Sequence, residues 1–138
     1  MTLTELITRV EQGSGSDRQL DADICVALQW GIPMIERSGN PIIHSPQHQG
    51  FLSFSSMDSA FIYGSQRLTS SLDAIRALFK ARLNGHMFDI LETPRGYLHR
   101  VNIMPSDVEC PPVYSSSNPD IHRAFLSATL KAIAAKEG

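Results

Sequence analysis

The stretch from Leu68 to Gly85, LTSSLDAIRALFKARLNG, spells out both ends of a helix and so limits what the rest of the chain can become. Ser70 can accept a backbone N–H of the first turn, and Asp73, three residues on, can return the bond as the other half of a capping box. Leu72, Ile75, Leu78, Phe79 and Leu83 recur at spacings of three and four. That gathers them on one side of a helix, while Arg76, Lys80 and Arg82 point elsewhere. Gly85 is the natural stop. The spacing predicts a helix over 70–84 with one apolar face to bury, most simply against a sheet.

A chain of 138 residues makes one domain. At that size it buries about 68–70% of the surface its unfolded form exposes, enough for a real core. The net charge of −2 and the absence of any long basic run argue against a nucleic-acid partner, since neutralising phosphates takes a basic excess. No apolar run approaches the ~20 residues that cross a bilayer, and the opening Met1-Thr2-Leu3-Thr4-Glu5 lacks the basic start of a secretion signal. These readings predict a cytoplasmic protein with no membrane partner. Cys25 and Cys110 are too few for a disulfide framework, and Cys25 reads as a small core residue.

Thr2 with Glu5 makes a capping box for a first short helix bearing Leu3, Leu6, Ile7 and Val10. Gly13-Ser14-Gly15 reads as a flexible linker, after which Ser16 and Gln19 cap a helix with Leu20, Ile24, Ala27 and Leu28 on one face. Short strands are expected at Pro33 to Glu36, Pro41 to His44 and Phe51 to Ser55, with a further apolar piece at Ala60 to Tyr63. After Gly85, the alternation of Phe88 and Ile90, the turn Thr93 to Gly96 and the run Tyr97 to Ile103 predict a hairpin. Met104 to Ser117 holds three prolines and a serine run and reads as an irregular connection. Asn118 and Pro119 then open a last helix with Ile121, Phe125, Ala128, Ala132 and Ile133 on its apolar face.

Few residue clusters point to chemistry. Asp17, Asp21 and Asp23 can be read as a metal or acid–base group, but negative charge in a first helical turn is also simple dipole complementarity. His44 and His48 have the spacing of metal ligands on a helix, yet Pro46 between them opposes that helix, which leaves presentation from a loop. They are the candidate metal residues, and the rival functional class is a small metal-dependent hydrolase built on them. Gly13-Ser14-Gly15-Ser16 before a helix can cradle an anion, but no lysine of a phosphate loop follows. No catalytic residue and no cofactor are assigned.

Three pieces, GSGSDRQLDADICVAL at Gly13 to Leu28, LTSSLDAIRAL at Leu68 to Leu78 and the alanine-rich helix opened by Pro119, together resemble the phage ABA sandwich domain family. The resemblance implies an α+β fold, a small mainly antiparallel sheet with helices on both faces (an α/β/α sandwich), with 40–66 as an insertion into a single domain. It also implies a small phage or prophage protein, and it carries no catalytic residues. The expected role is non-enzymatic binding of a phage or host protein, in host takeover or as an accessory to virion production. The expected surface lies in the long connections Gly39 to Gln66 and Met104 to Ser117, with Phe51, Phe54, Tyr63, Val113 and Tyr114 as contact residues.

Overall fold

The computed structural model describes residues 2–30, 66–93 and 98–137, and the backbone of the strands at 34–35, 41–45 and 50–53. Among these residues the chain is α+β, with helices packed against an antiparallel sheet. The last helix, α4 (Ile121–Glu137), packs against more elements than any other among the described residues. From Arg123 to Leu130 every residue is buried, followed by Ala132 and Ile133. A helix buried all round is a core helix and not the one-sided surface helix that the sequence suggests. Its alanines let neighbours approach closely: α1 (Leu3–Gln12), α3 (Leu72–Arg82) and the strands β5 (His99–Pro105) and β6 (Tyr114–Asn118) all pack on it. The helix 72–82 is therefore one wall of the core and α4 its axis.

Helix starts follow the expected logic with small shifts. Thr2 and Glu5 form the full capping box of α1. In α2 (Arg18–Leu28) the cap is Asp17, which accepts the Leu20 N–H at 3.0 Å, in place of Ser16. In α3 it is Ser71, accepting from Ala74 N–H at 3.2 Å, in place of Ser70. Each substitute stands one residue later, where its own extended backbone brings the side-chain oxygen under the first free N–H. The predicted apolar face of α3 is the buried one, with Ile75, Leu78, Phe79 and Leu83 inside and Arg76 and Lys80 outside.

Strands β1 (Met34–Ile35), β2 (Pro41–Ser45) and β3 (Gly50–Ser53) pair antiparallel in chain order as one sheet. The expected piece Ala60 to Tyr63 lies outside the described residues. The second sheet orders β4 (His86–Glu92), β5 (His99–Pro105) and β6 (Tyr114–Asn118), all antiparallel. The β4–β5 hairpin is as expected, from His86 opposite Pro105 to Glu92 opposite His99. Strand β6 corrects the sequence reading, because Met104 to Ser117 is not one long connection. Met104 and Pro105 finish β5, Tyr114 to Ser117 belong to β6, and only 106–113 is irregular. A run of three serines has poor strand propensity by itself. Here pairing with β5 and cover from α4 supply the stability that the letters lack.

One face of this sheet joins the core. Val101 and Ile103 are fully buried on it, Ser116 and Asn118 nearly so. Phe88 meets Phe125 of α4 at 4.8 Å between ring centres and Phe79 of α3 at 5.1 Å, edge to face. Such ring geometry adds about 0.5–1.5 kcal/mol per pair beyond area burial. The helices whose contacts are described gather on this face. The opposite face presents Met87 and Leu91, each about half exposed at 51% and 54%.

Candidate functional site

Most polar side chains that invite a chemical reading turn out to be joints between elements. Asp21 is fully buried, accepts the Thr69 N–H at 2.8 Å and pairs with Arg18 at 2.8 Å. Burial raises its pKa, against the hydrogen bonds from Thr69 and the charge of Arg18 that favour the ionised form. Asp21 thus ties α2 to the turn before α3. Asp23 pairs with Arg9 of α1 at 2.7 Å. The three aspartates point to different partners, and no group of three metal-binding side chains gathers among the described residues.

Arg123 is the largest buried side chain and was not singled out by the sequence. Its guanidinium donates to the carbonyls of Arg9 (3.3 Å) and Val10 (3.2 Å) at the end of α1, and twice to Gly15 O, at 3.1 and 2.7 Å. A cation at a helix C-terminus meets the negative end of the dipole and satisfies carbonyls that have no partner in the helix. The 13–15 segment is thus a clamped joint and not a loose linker. Gly13 is required there, because a Cβ would stand 2.5 Å from the Arg123 Nη1, and Gly15 takes a left-handed φ of +69°.

A second joint links α1, α4 and β6. Glu11 binds Lys131 at 2.9 Å and accepts from the Ser127 hydroxyl at 2.9 Å, while Lys131 Nζ donates to Ser115 O at 3.0 Å. Burial works to raise the Glu11 pKa, but Lys131 and Ser127 together hold it below the usual range. Asp120 is also lowered: burial opposes ionisation, and the side-chain and backbone hydrogen bonds from His122 outweigh it. Cys25 lies in the core, where burial pushes its thiol up to about 12 and keeps it inert as a nucleophile at neutral pH.

A further exposed feature among the described residues is the outer face of the second sheet. Its register makes three rows. Met87 lies opposite Met104, and Val113, which immediately precedes β6, stands where that row would continue. Asp89, Asn102 and Ser115 form the middle row, in which Asn102 Nδ2 donates to Asp89 Oδ1 at 2.8 Å and Arg100 Nε donates to Asn102 Oδ1 at 3.3 Å. Leu91, Arg100 and Ser117 form the third. Beside the first row runs the 106–113 connection, pinned at its start by Ser106, whose N–H and hydroxyl both donate to Gly85 O. Val108 and Val113 on it are 52% and 53% exposed. Met87 and Met104, with Val113 continuing their row and the exposed Val108 on the same connection, make an adaptable apolar strip, rimmed by polar side chains that already satisfy one another.

The expected contact residues divide accordingly. Val113 is on this strip, whereas Tyr114 turns the other way and packs half-buried against the core. His44 lies on β2 and Phe51 on β3, known by backbone only; His48, Phe54 and Tyr63 lie outside the described residues. Only the alternation of Met87, Asp89 and Leu91 in the sequence hinted at an outward face. No protein-family model matches the chain, and no curated protein or solved structure is significantly similar to it.

Proposed function

We propose that the protein is a non-enzymatic binding module that holds another protein against the strip formed by Met87, Met104, Val108 and Val113. One observation carries this reading: Met87 on the sheet face and Val108 and Val113 on the 106–113 connection are each about half exposed, with Met104 beside Met87 in the same row, while the helices' ion pairs and buried polar groups serve as joints. Partner surfaces favour such an apolar centre with a satisfied polar rim. The likeness to phage domains suggests a phage or bacterial host protein as the partner, met in the cytoplasm of a bacterial or infected cell. No helix among the described residues is long and apolar enough to cross a membrane.

The test is a double substitution, Val108→Asp with Val113→Asp, at two exposed positions where stability should change by less than about 0.5 kcal/mol each. Affinity capture from host or infected cells should return a protein with the parent and lose it with the variant, at an unchanged urea midpoint. If the variant retains that protein at parental yield while Arg76→Glu on the exposed side of α3 releases it, the surface lies on the helices and this reading fails.

A further inference from the structure

The two edges of the second sheet are treated differently. At β6 the Ser115 carbonyl, which a neighbouring strand could claim, is taken by Lys131. At β4 the hydrogen-bond phase shows which groups face out. Thr93 N–H donates to Leu98 O and Ser106 N–H to Gly85 O, so odd-numbered residues bond toward β5 and His86, Phe88, Ile90 and Glu92 turn their backbone groups away. His86 N–H is used by Leu83 O. The other outward groups of β4 have no partner among the described residues, and the side chains around them, Met87, Ile90 and Leu91, are all at least 36% exposed.

The sequence of that edge, HMFDILE, is complementary to itself when reversed. Full antiparallel overlap of two copies places the two-fold axis at Asp89. It pairs Phe88 with Ile90, Met87 with Leu91, and the His86 imidazole with the Glu92 carboxylate of the second copy. This register is also allowed by the phase, because it brings outward residue 88 against outward residue 90 and 86 against 92. A shift that centred the axis on 88 or 90 would leave both the imidazole and the carboxylate unmatched. We infer that the chain forms a homodimer through β4–β4 pairing, joining two three-stranded sheets into one of six. The partner is chosen by chemistry on this strand: apolar beside apolar on both faces, and imidazole beside carboxylate at both ends. Met87 and Leu91 then bury each other's exposed side chains, and Ile90 gains cover from Phe88 of the second copy. Opposing this, the two Asp89 carboxylates meet at the axis, and like charges directly opposite destabilise a pair. The dimer is accordingly weak, and Asp89→Asn tightens it. The inference shares Met87 with the strip of the proposed function but rests on the backbone edge of β4, whereas that reading is tested on 106–113.

The experiment combines sedimentation velocity with cysteine cross-linking in a Cys110→Ser background, which removes the exposed thiol. The parent should dimerise increasingly between about 5 and about 500 µM, the range a small interface demands. Leu91→Lys should weaken association by about tenfold or more through the two lost apolar pairs. Under oxidation Asp89→Cys should cross-link to itself, since copies meet there at about 4.5 Å between Cα atoms, within disulfide reach. Met87→Cys should not, being about 13 Å from its own equivalent, but should cross-link when mixed with Leu91→Cys. Val108→Asp with Val113→Asp should leave association unchanged, so that either reading can fail alone. A parent monomeric throughout, including the case in which only Asp89→Asn dimerises and Asp89 guards the edge, overturns the inference. So does self-cross-linking of Met87→Cys as readily as Asp89→Cys.

Discussion

The β6 edge, where a lysine takes the Ser115 carbonyl, and the β4 edge, where the His86 N–H is taken by Leu83 O, differ in where their neighbours come from. Sealing β6 takes Glu11 from the first helix, Ser127 and Lys131 from the last, and the Ser115 carbonyl between them. A lysine laid along an edge is a recognised guard against stray strand pairing. At β4 the whole edge is one local run of seven residues, 86–92, in which Met87, Ile90 and Leu91 are exposed and Phe88 packs into the core. A protected edge in this molecule is thus a long-range construction, and an unprotected one is simply a strand left at the end of the order. The two edges are therefore not equivalent: a charged side chain occupies one outward carbonyl of β6, and among the described residues none does so on β4.

That contrast can be broken most forcefully at its root. Arg123 holds the end of α1, and so Glu11, in place beside α4; Arg123→Ala takes the guanidinium from the Val10 and Gly15 carbonyls and leaves Arg9 O with the Gly13 N–H alone. A loss of about 3–5 kcal/mol is expected in urea unfolding. A variant that unfolds like the parent would show that the clamp contributes nothing.

A smaller effect is expected at the seal itself. Lys131→Met keeps the apolar stem but frees Ser115 O and leaves Glu11 with Ser127 alone. For a half-buried ion pair the cost is about 1 kcal/mol. The opened carbonyl should also raise the exchange rate of β6 amides measured by hydrogen exchange, while β4 is unchanged. Equal exchange in both proteins would mean Lys131 does not protect that edge.

The smallest effect is a pH dependence. Because the folded pKa of Glu11 is lowered, its contribution to stability is fully present above its unfolded value of about 4.5 and is lost as pH falls through the folded value. Asp120 carries the same sign, and Asp21, whose pKa is raised, the opposite. Comparing the parent with Glu11→Gln isolates the one group. The advantage of the parent at neutral pH should shrink steadily below about pH 5, and a difference constant with pH would reject the assignment.

The amino-acid sequence by itself determined the local elements: the Thr2 box of α1, the buried face of α3, the β4–β5 hairpin and the presence of short strands between Pro33 and Ser55. These depend on neighbours three, four or two residues apart, and such spacings can be read directly. It also pointed to Val113, though for the length of its connection and not for the face it lies on. Only the tertiary structure decided that YSSSN is a strand, that α4 is buried all round, and that Arg123 and Asp21 are buried charges. A serine run becomes a strand when another strand offers its backbone groups, and a charge goes inside when distant carbonyls or N–H groups meet it there. Those partners lie 48 to 114 residues away along the chain, a distance over which a local pattern holds no information, because folding alone brings the two ends of the bond together.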